Sequence, residues 1–84
     1  MLNKLLEYLK CKKILILGFG IEGKSTYTFI RKHFPNKEIM ICDSKEGYEA
    51  ELINDKFTKC IHNNEYLDYV DDIDIIFKTP RNIF

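Results

Sequence analysis

Gly18, Gly20 and Gly23 occupy the first, third and sixth positions of Gly-Phe-Gly-Ile-Glu-Gly, directly after the apolar run Ile14 to Leu17. Glycines at this spacing bring backbone N–H groups against a phosphate. Gly18 permits a tight turn out of a strand, Gly20 lets the main chain approach a diphosphate, and Gly23 lets the following helix pack close to the sheet. A second apolar run, Ile-Met-Ile-Cys, ends in Asp43, 20 residues after Gly23. A carboxylate placed there can accept hydrogen bonds from a ribose or a base. Strand, glycine turn, helix and acid-terminated strand together predict a nucleotide-binding βαβ unit.

The same residues also satisfy a second pattern. Gly18 through Ser25 fits G-x-x-x-x-G-K-[ST], the loop that wraps the phosphates of ATP or GTP. In that pattern Lys24 meets the terminal phosphates, Ser25 meets magnesium, and Asp43 helps to hold the metal. A chain of 84 residues leaves little room for the rest of a hydrolysis machine. Asp43 equally permits NAD. The glycine motif alone leaves NAD, a nucleoside triphosphate and a sugar nucleotide open.

The elements that must position these residues alternate along the chain. Leu2, Leu5, Leu6 and Leu9 recur at helical spacing among polar residues, predicting an amphipathic lead-in helix. Lys13 to Leu17 is predicted as the first strand and Glu22 to Phe34 as a helix that packs through Tyr27, Phe29 and Ile30. Lys24, Arg31 and Lys32 are expected to stay in water, and Pro35-Asn36 ends the helix. Glu38 to Cys42, Phe57 to Ile61 and Asp74 to Phe77 follow as strands, with short helices at Glu49 to Ile53 and Tyr66 to Val70. The whole chain, residues 1–84, reads as a single small α/β domain: a mostly parallel sheet of four to five strands flanked by helices, with ligands beyond the carboxyl ends of the strands. Those ends carry Gly18 to Gly23, then Asp43, Ser44 and Lys45, then Thr79, Pro80 and Arg81.

Thirteen basic and thirteen acidic residues balance, and no run of either sign suggests a nucleic acid or a membrane surface as partner. The longest apolar run falls far short of the ~20 residues a membrane span needs, and Met1 to Lys10 lacks the features of a signal peptide. A cytoplasmic location is expected. Cys11, Cys42 and Cys60 match neither a zinc site nor a disulfide framework, so Cys42 and Cys60 are expected to pack as small hydrophobes. His33 and His62 have no second ligand at metal spacing, and no metal site is expected.

The stretch from Lys13 to Arg31, with Ile41 to Ser44 and Asp74-Ile-Ile-Phe-Lys-Thr-Pro80, resembles the opening domain of the Mur ligases of peptidoglycan synthesis, in particular the branch that adds D-glutamate. Glu22 followed by Gly-Lys-Ser-Thr carries more of the resemblance than the glycines. The family's first domain is a Rossmann-like module that holds the UDP part of a muramoyl substrate. The resemblance therefore implies UDP-N-acetylmuramoyl-L-alanine as the ligand. Gly18, Phe19, Gly20, Ile21, Glu22 and Gly23 would face the diphosphate, Asp43, Ser44 and Lys45 would border the uracil and ribose, and Thr79 and Pro80 would close the other side.

Two departures accompany the resemblance. The family continues for several hundred residues into an ATP- and magnesium-using domain and a C-terminal domain, whereas this chain stops at Phe84. A truncated, monomeric binding domain is expected, with no catalytic residue and no cofactor of its own. The second departure is Arg81, which stands where the family has glycine.

Overall fold

The computed structural model describes residues 2–78. Four strands, β1 (Ile14–Leu17), β2 (Ile39–Cys42), β3 (Thr58–Ile61) and β4 (Ile75–Lys78), form one sheet in the order β3-β2-β1-β4. Every pairing is parallel, and Leu17 lies opposite Cys42 on one side and Lys78 on the other. The expected fold class is met with four strands. A parallel strand covered on both faces has no polar side to show, which is why β1 is the unbroken run Ile-Leu-Ile-Leu with all four side chains buried.

The helices α1 (Leu2–Lys10) and α2 (Ile21–His33) supply one layer. Leu9 and Ile30 from them join Ile14, Ile16, Ile39 and Ile41 in the larger core, with Phe19, Tyr48 and Leu52. Each such side chain contributes ~1.5–3 kcal/mol on burial. The opposite face of the sheet carries Leu15, Leu17, Cys42 and Ile61, covered by Tyr66, Tyr69 and Ile73. Cys42 is buried and Cys60 half-buried against the core, as expected of small hydrophobes. Burial pushes the Cys42 thiol up to about 11 and raises Cys60 as well. Among the described residues no helix is long and apolar enough to cross a membrane.

Two predicted short helices take a tighter form. Tyr48–Leu52, Asn63–Asp68 and Val70–Asp72 are 3-10 turns. The chain returning from β3 to β4 has only residues 62–74 in which to cross the sheet. Its apolar anchors Tyr66 and Tyr69 are three apart, the repeat of a 3-10 turn, so both fall on the sheet side. Glu65 helps start this segment by accepting the N–H of His62 at 2.9 Å.

Arg31 departs from its expected place in water. Its guanidinium is largely buried and donates from Nε to Asp55 Oδ2 at 2.8 Å, from Nη2 to Thr58 Oγ1 at 2.9 Å, and from Nη1 to the carbonyls of Phe34 and Lys37 at 2.9 and 2.6 Å. The end of α2 and the turn after it are thereby tied to the entry of β3. Asp55 also accepts hydrogen bonds from the Tyr27 hydroxyl, Thr58 Oγ1 and Phe57 N–H. Burial alone would raise the Asp55 carboxyl, but the hydrogen bonds from Tyr27, Thr58 and Phe57, with the Arg31 charge, outweigh it and hold the group below its ordinary value.

A depressed folded-state pKa gives stability that is present above the unfolded value, about 3.9 for Asp, and lost as pH falls through the lower folded value. Asp55→Asn is therefore expected to cost about 2 kcal/mol at neutral pH, with the gap to wild type shrinking as the medium is acidified below about pH 4. Urea midpoints of both chains at pH 7 and pH 3 check this. A gap that stays constant would show that the Asp55 charge contributes nothing.

Candidate functional site

The turn between β1 and α2 consists of Gly18, Phe19 and Gly20 alone. Gly18 has φ +98°, the left-handed region that disfavours a side chain, and its N–H continues the sheet by donating to Cys42 O at 2.7 Å. A Cβ placed on Gly23 would lie 2.0 Å from the Gly18 carbonyl oxygen, so the first turn of α2 sits directly against the glycine turn. Gly20 differs from both. It is the N-cap of α2 with ordinary extended backbone, φ −79° and ψ −160°, and a Cβ there would meet nothing within 4 Å. The structure leaves space above Gly20, and nothing in the backbone geometry demands a glycine.

The first helical hydrogen bond of α2 is Lys24 N–H to Gly20 O, and no side chain caps the helix. The earliest amides of the helix consequently lack the intrahelical acceptors that later ones have. Together with the helix dipole they make this end electropositive. It opens on a cleft of about 440 Å³ whose wall includes Gly18, Gly20 and Ile21 on one side and Lys45, Tyr48 and Glu51 on the other. A hollow of similar size, about 480 Å³, lies at the amino ends of the strands among Lys13, Glu38, Lys56 and Asp72. It has no glycine turn, so the chemistry points to the first cleft.

Asp43 stands at the floor of that cleft but is only 5% exposed. Its Oδ2 accepts the N–H of Phe19 at 2.7 Å and its Oδ1 accepts the N–H of Lys45 at 2.8 Å. One carboxylate thus joins the glycine turn to the loop after β2, closing an Asx turn on its own side. The Asp43 carboxylate shapes the cleft, a role not read from its place at the end of an apolar run, and both of its oxygens are already engaged by the main chain. Tyr48 braces the other wall. Its hydroxyl lies 2.7 and 2.8 Å from the carbonyl oxygens of Ile41 and Ile61, donating its one proton to either, and burial raises its pKa.

Of the residues singled out in the sequence, Gly18, Phe19, Gly20, Ile21, Asp43 and Lys45 come together on the cleft wall. Glu22 is exposed, Gly23 is buried and Ser44 is half-buried; none of these three lines the cleft. Thr79, Pro80 and Arg81 lie outside the described residues. Lys24, Glu46, Gly47, Tyr48 and Glu51 also line the cleft without having been expected there. Only Lys24 had a local signal, as part of the phosphate-loop pattern. The turn does not support that pattern's geometry, because α2 already begins at Ile21 and Lys24 lies inside the helix, not at the end of a wrapping loop.

An all-parallel sheet in this strand order, with a glycine turn feeding a helix beside the second strand, defines a Rossmann-like α/β domain with its cleft at the carboxyl edge. In sequence the chain is similar to the UDP-N-acetylmuramoylalanine--D-glutamate ligase of Clostridium kluyveri, strain ATCC 8527, also designated NBRC 12016, being 33% identical to it over 78 residues. The match takes in 88% of this chain and 17% of the relative's length. The chain thus spans about one sixth of the length of the relative it matches. No family model matches the chain, and no solved structure matches it.

Proposed function

We propose that this chain is the substrate-holding part of a D-glutamate-adding Mur ligase of peptidoglycan synthesis, and that its cleft takes the UDP end of UDP-N-acetylmuramoyl-L-alanine. The observation that carries this reading is the uncapped N-terminus of α2 beneath the open space at Gly20. Main-chain N–H groups at a helix start suit a diphosphate, and the likeness to the Clostridium kluyveri ligase supplies the uridine and the muramoyl group. Lys45, on the facing wall, borders the ribose and base.

In this reading the chain's part is to hold the substrate. Forming the amide takes ATP and magnesium to activate the substrate's carboxylate, followed by attack of the D-glutamate amine. No step through ATP or magnesium is assigned to the residues of this cleft.

Titration with UDP-N-acetylmuramoyl-L-alanine, UDP, NAD and ATP, followed through the backbone amide resonances of Gly18 to Gly23, tests the reading. The uridine compounds are expected to shift these amides at lower concentration than NAD or ATP, and preference for NAD would overturn the assignment. Gly20→Asp sharpens the test, because its two effects have opposite signs. Aspartate is a favoured N-cap and glycine only slightly less so, so stability should be unchanged or raised by roughly a few tenths of a kcal/mol. The added charge faces the diphosphate, and affinity for UDP should fall by more than about tenfold.

A further inference from the structure

One ion pair crosses the mouth of the cleft. Lys24, in the first turn of α2, places its Nζ 2.9 Å from Oε1 of Glu51, which stands on the 3-10 turn of the opposite wall. Both side chains line the cleft and both are about half exposed, 45% and 53%. The ammonium also lies 5.8 Å from the centre of the Phe19 ring, whose N–H is held by Asp43. Lys24 is thus seated over the glycine turn while its charge is neutralised from across the gap.

We propose that Lys24 and Glu51 form a latch on this cleft, and that a diphosphate opens it by taking the ammonium away from the carboxylate. The inference rests on the nucleotide-binding reading given above and extends it to Lys24, which would then be a phosphate ligand, and to Glu51, an internal competitor. An exposed pair of this kind is weak and screened by solvent, so it yields readily to a ligand that brings more than one negative charge and also gains the α2 amides. Of the other charged side chains on the cleft wall, Lys45 and Glu46 stand on the loop after β2, away from the start of α2 in the chain, and Asp43 accepts two backbone N–H groups. Lys24 and Glu51 are the remaining charges there, and their contact decides whether a cation is available at the helix start. A neutral ligand has no means of opening the latch, so the device discriminates nucleoside diphosphates from nucleosides.

Calorimetric titration with UDP and with uridine, on the wild type and on Lys24→Met, Glu51→Gln and the double variant, tests this. Thermal melts of all four chains establish that each is folded. Glu51→Gln is expected to bind UDP about three- to tenfold more tightly, and Lys24→Met about tenfold more weakly. In the Lys24→Met background Glu51→Gln should have at most a small effect, because there is no ammonium left to release. Uridine should bind all four alike. If Glu51→Gln tightens UDP binding equally with and without Lys24, Glu51 acts by simple repulsion and the latch is wrong. UDP binding that is the same in all four chains overturns the latch and leaves the nucleotide site standing. Folded chains that bind no UDP at all overturn the site itself, and the latch with it.

Discussion

Gly23→Ala is expected to remove a large share of the domain's stability, on the order of 4 kcal/mol. A domain of this size has roughly 4–12 kcal/mol in total. The added methyl group would lie 2.0 Å from the carbonyl oxygen and 2.9 Å from the carbonyl carbon of Gly18. Both are backbone atoms, so no side-chain rotation relieves the contact. Either α2 lifts away from β1, opening the packing of Ile30 over Ile14 and Ile16, or the glycine turn moves and loses its bond to Cys42. The melting temperature should drop by about 15–30 °C. Gly20→Ala is the matched control, since a methyl group there meets nothing. Thermal unfolding followed by circular dichroism distinguishes them, and a Gly23→Ala chain that melts within a few degrees of wild type would refute the close seating of α2.

Asp43→Asn has the next largest expected effect, about 3 kcal/mol. The carboxylate accepts one main-chain N–H on each oxygen. Asparagine has one acceptor oxygen and must turn its NH₂ toward the other amide, setting donor against donor in a place that is 5% exposed. Hydrogen exchange gives a specific readout. The amides of Phe19 and Lys45 should exchange much faster in the variant, while those of β1 at Leu15 and Ile16 change only with global stability. UDP affinity should fall with them, because the glycine turn and the loop after β2 lose their shared anchor. Unchanged protection at Phe19 would show that Asp43 is not what holds the turn.

These two residues mark how far local pattern reaches. Gly23 was legible because its role depends on neighbours five residues away, within one turn and helix start, and β1, α2 and β2 were legible for the same reason. Asp43 was recognisable as unusual, an acid closing an apolar run, but its partner Phe19 is 24 positions distant. Nothing nearby in the chain says whether such a carboxylate faces a ligand or the main chain. Arg31 shows the limit more sharply. On the helix it looks like any solvated cation, and only the arrival of Asp55 and Thr58 on a later segment turns it inward. Glu51 gave no local sign at all, since its position opposite Lys24 depends on a 3-10 turn that the apolar spacing does not specify. Elements were readable where burial set a period, and charges were not where their partners came from another part of the chain.

The sheet also dictates how the chain must assemble. Every neighbouring pair of strands runs in the same direction, so no hairpin can form early and serve as a nucleus. Ile14 meets Ile39 only after α2 has been laid down, and it meets Ile75 only when the far end of the sheet returns, 61 residues later along the chain. Closing such a distant pairing is slow. Until it happens, the innermost strand has one flank open, an apolar ribbon with unsatisfied amides, which is the usual seed of self-association. Solubility during synthesis therefore hinges on how promptly β4 docks.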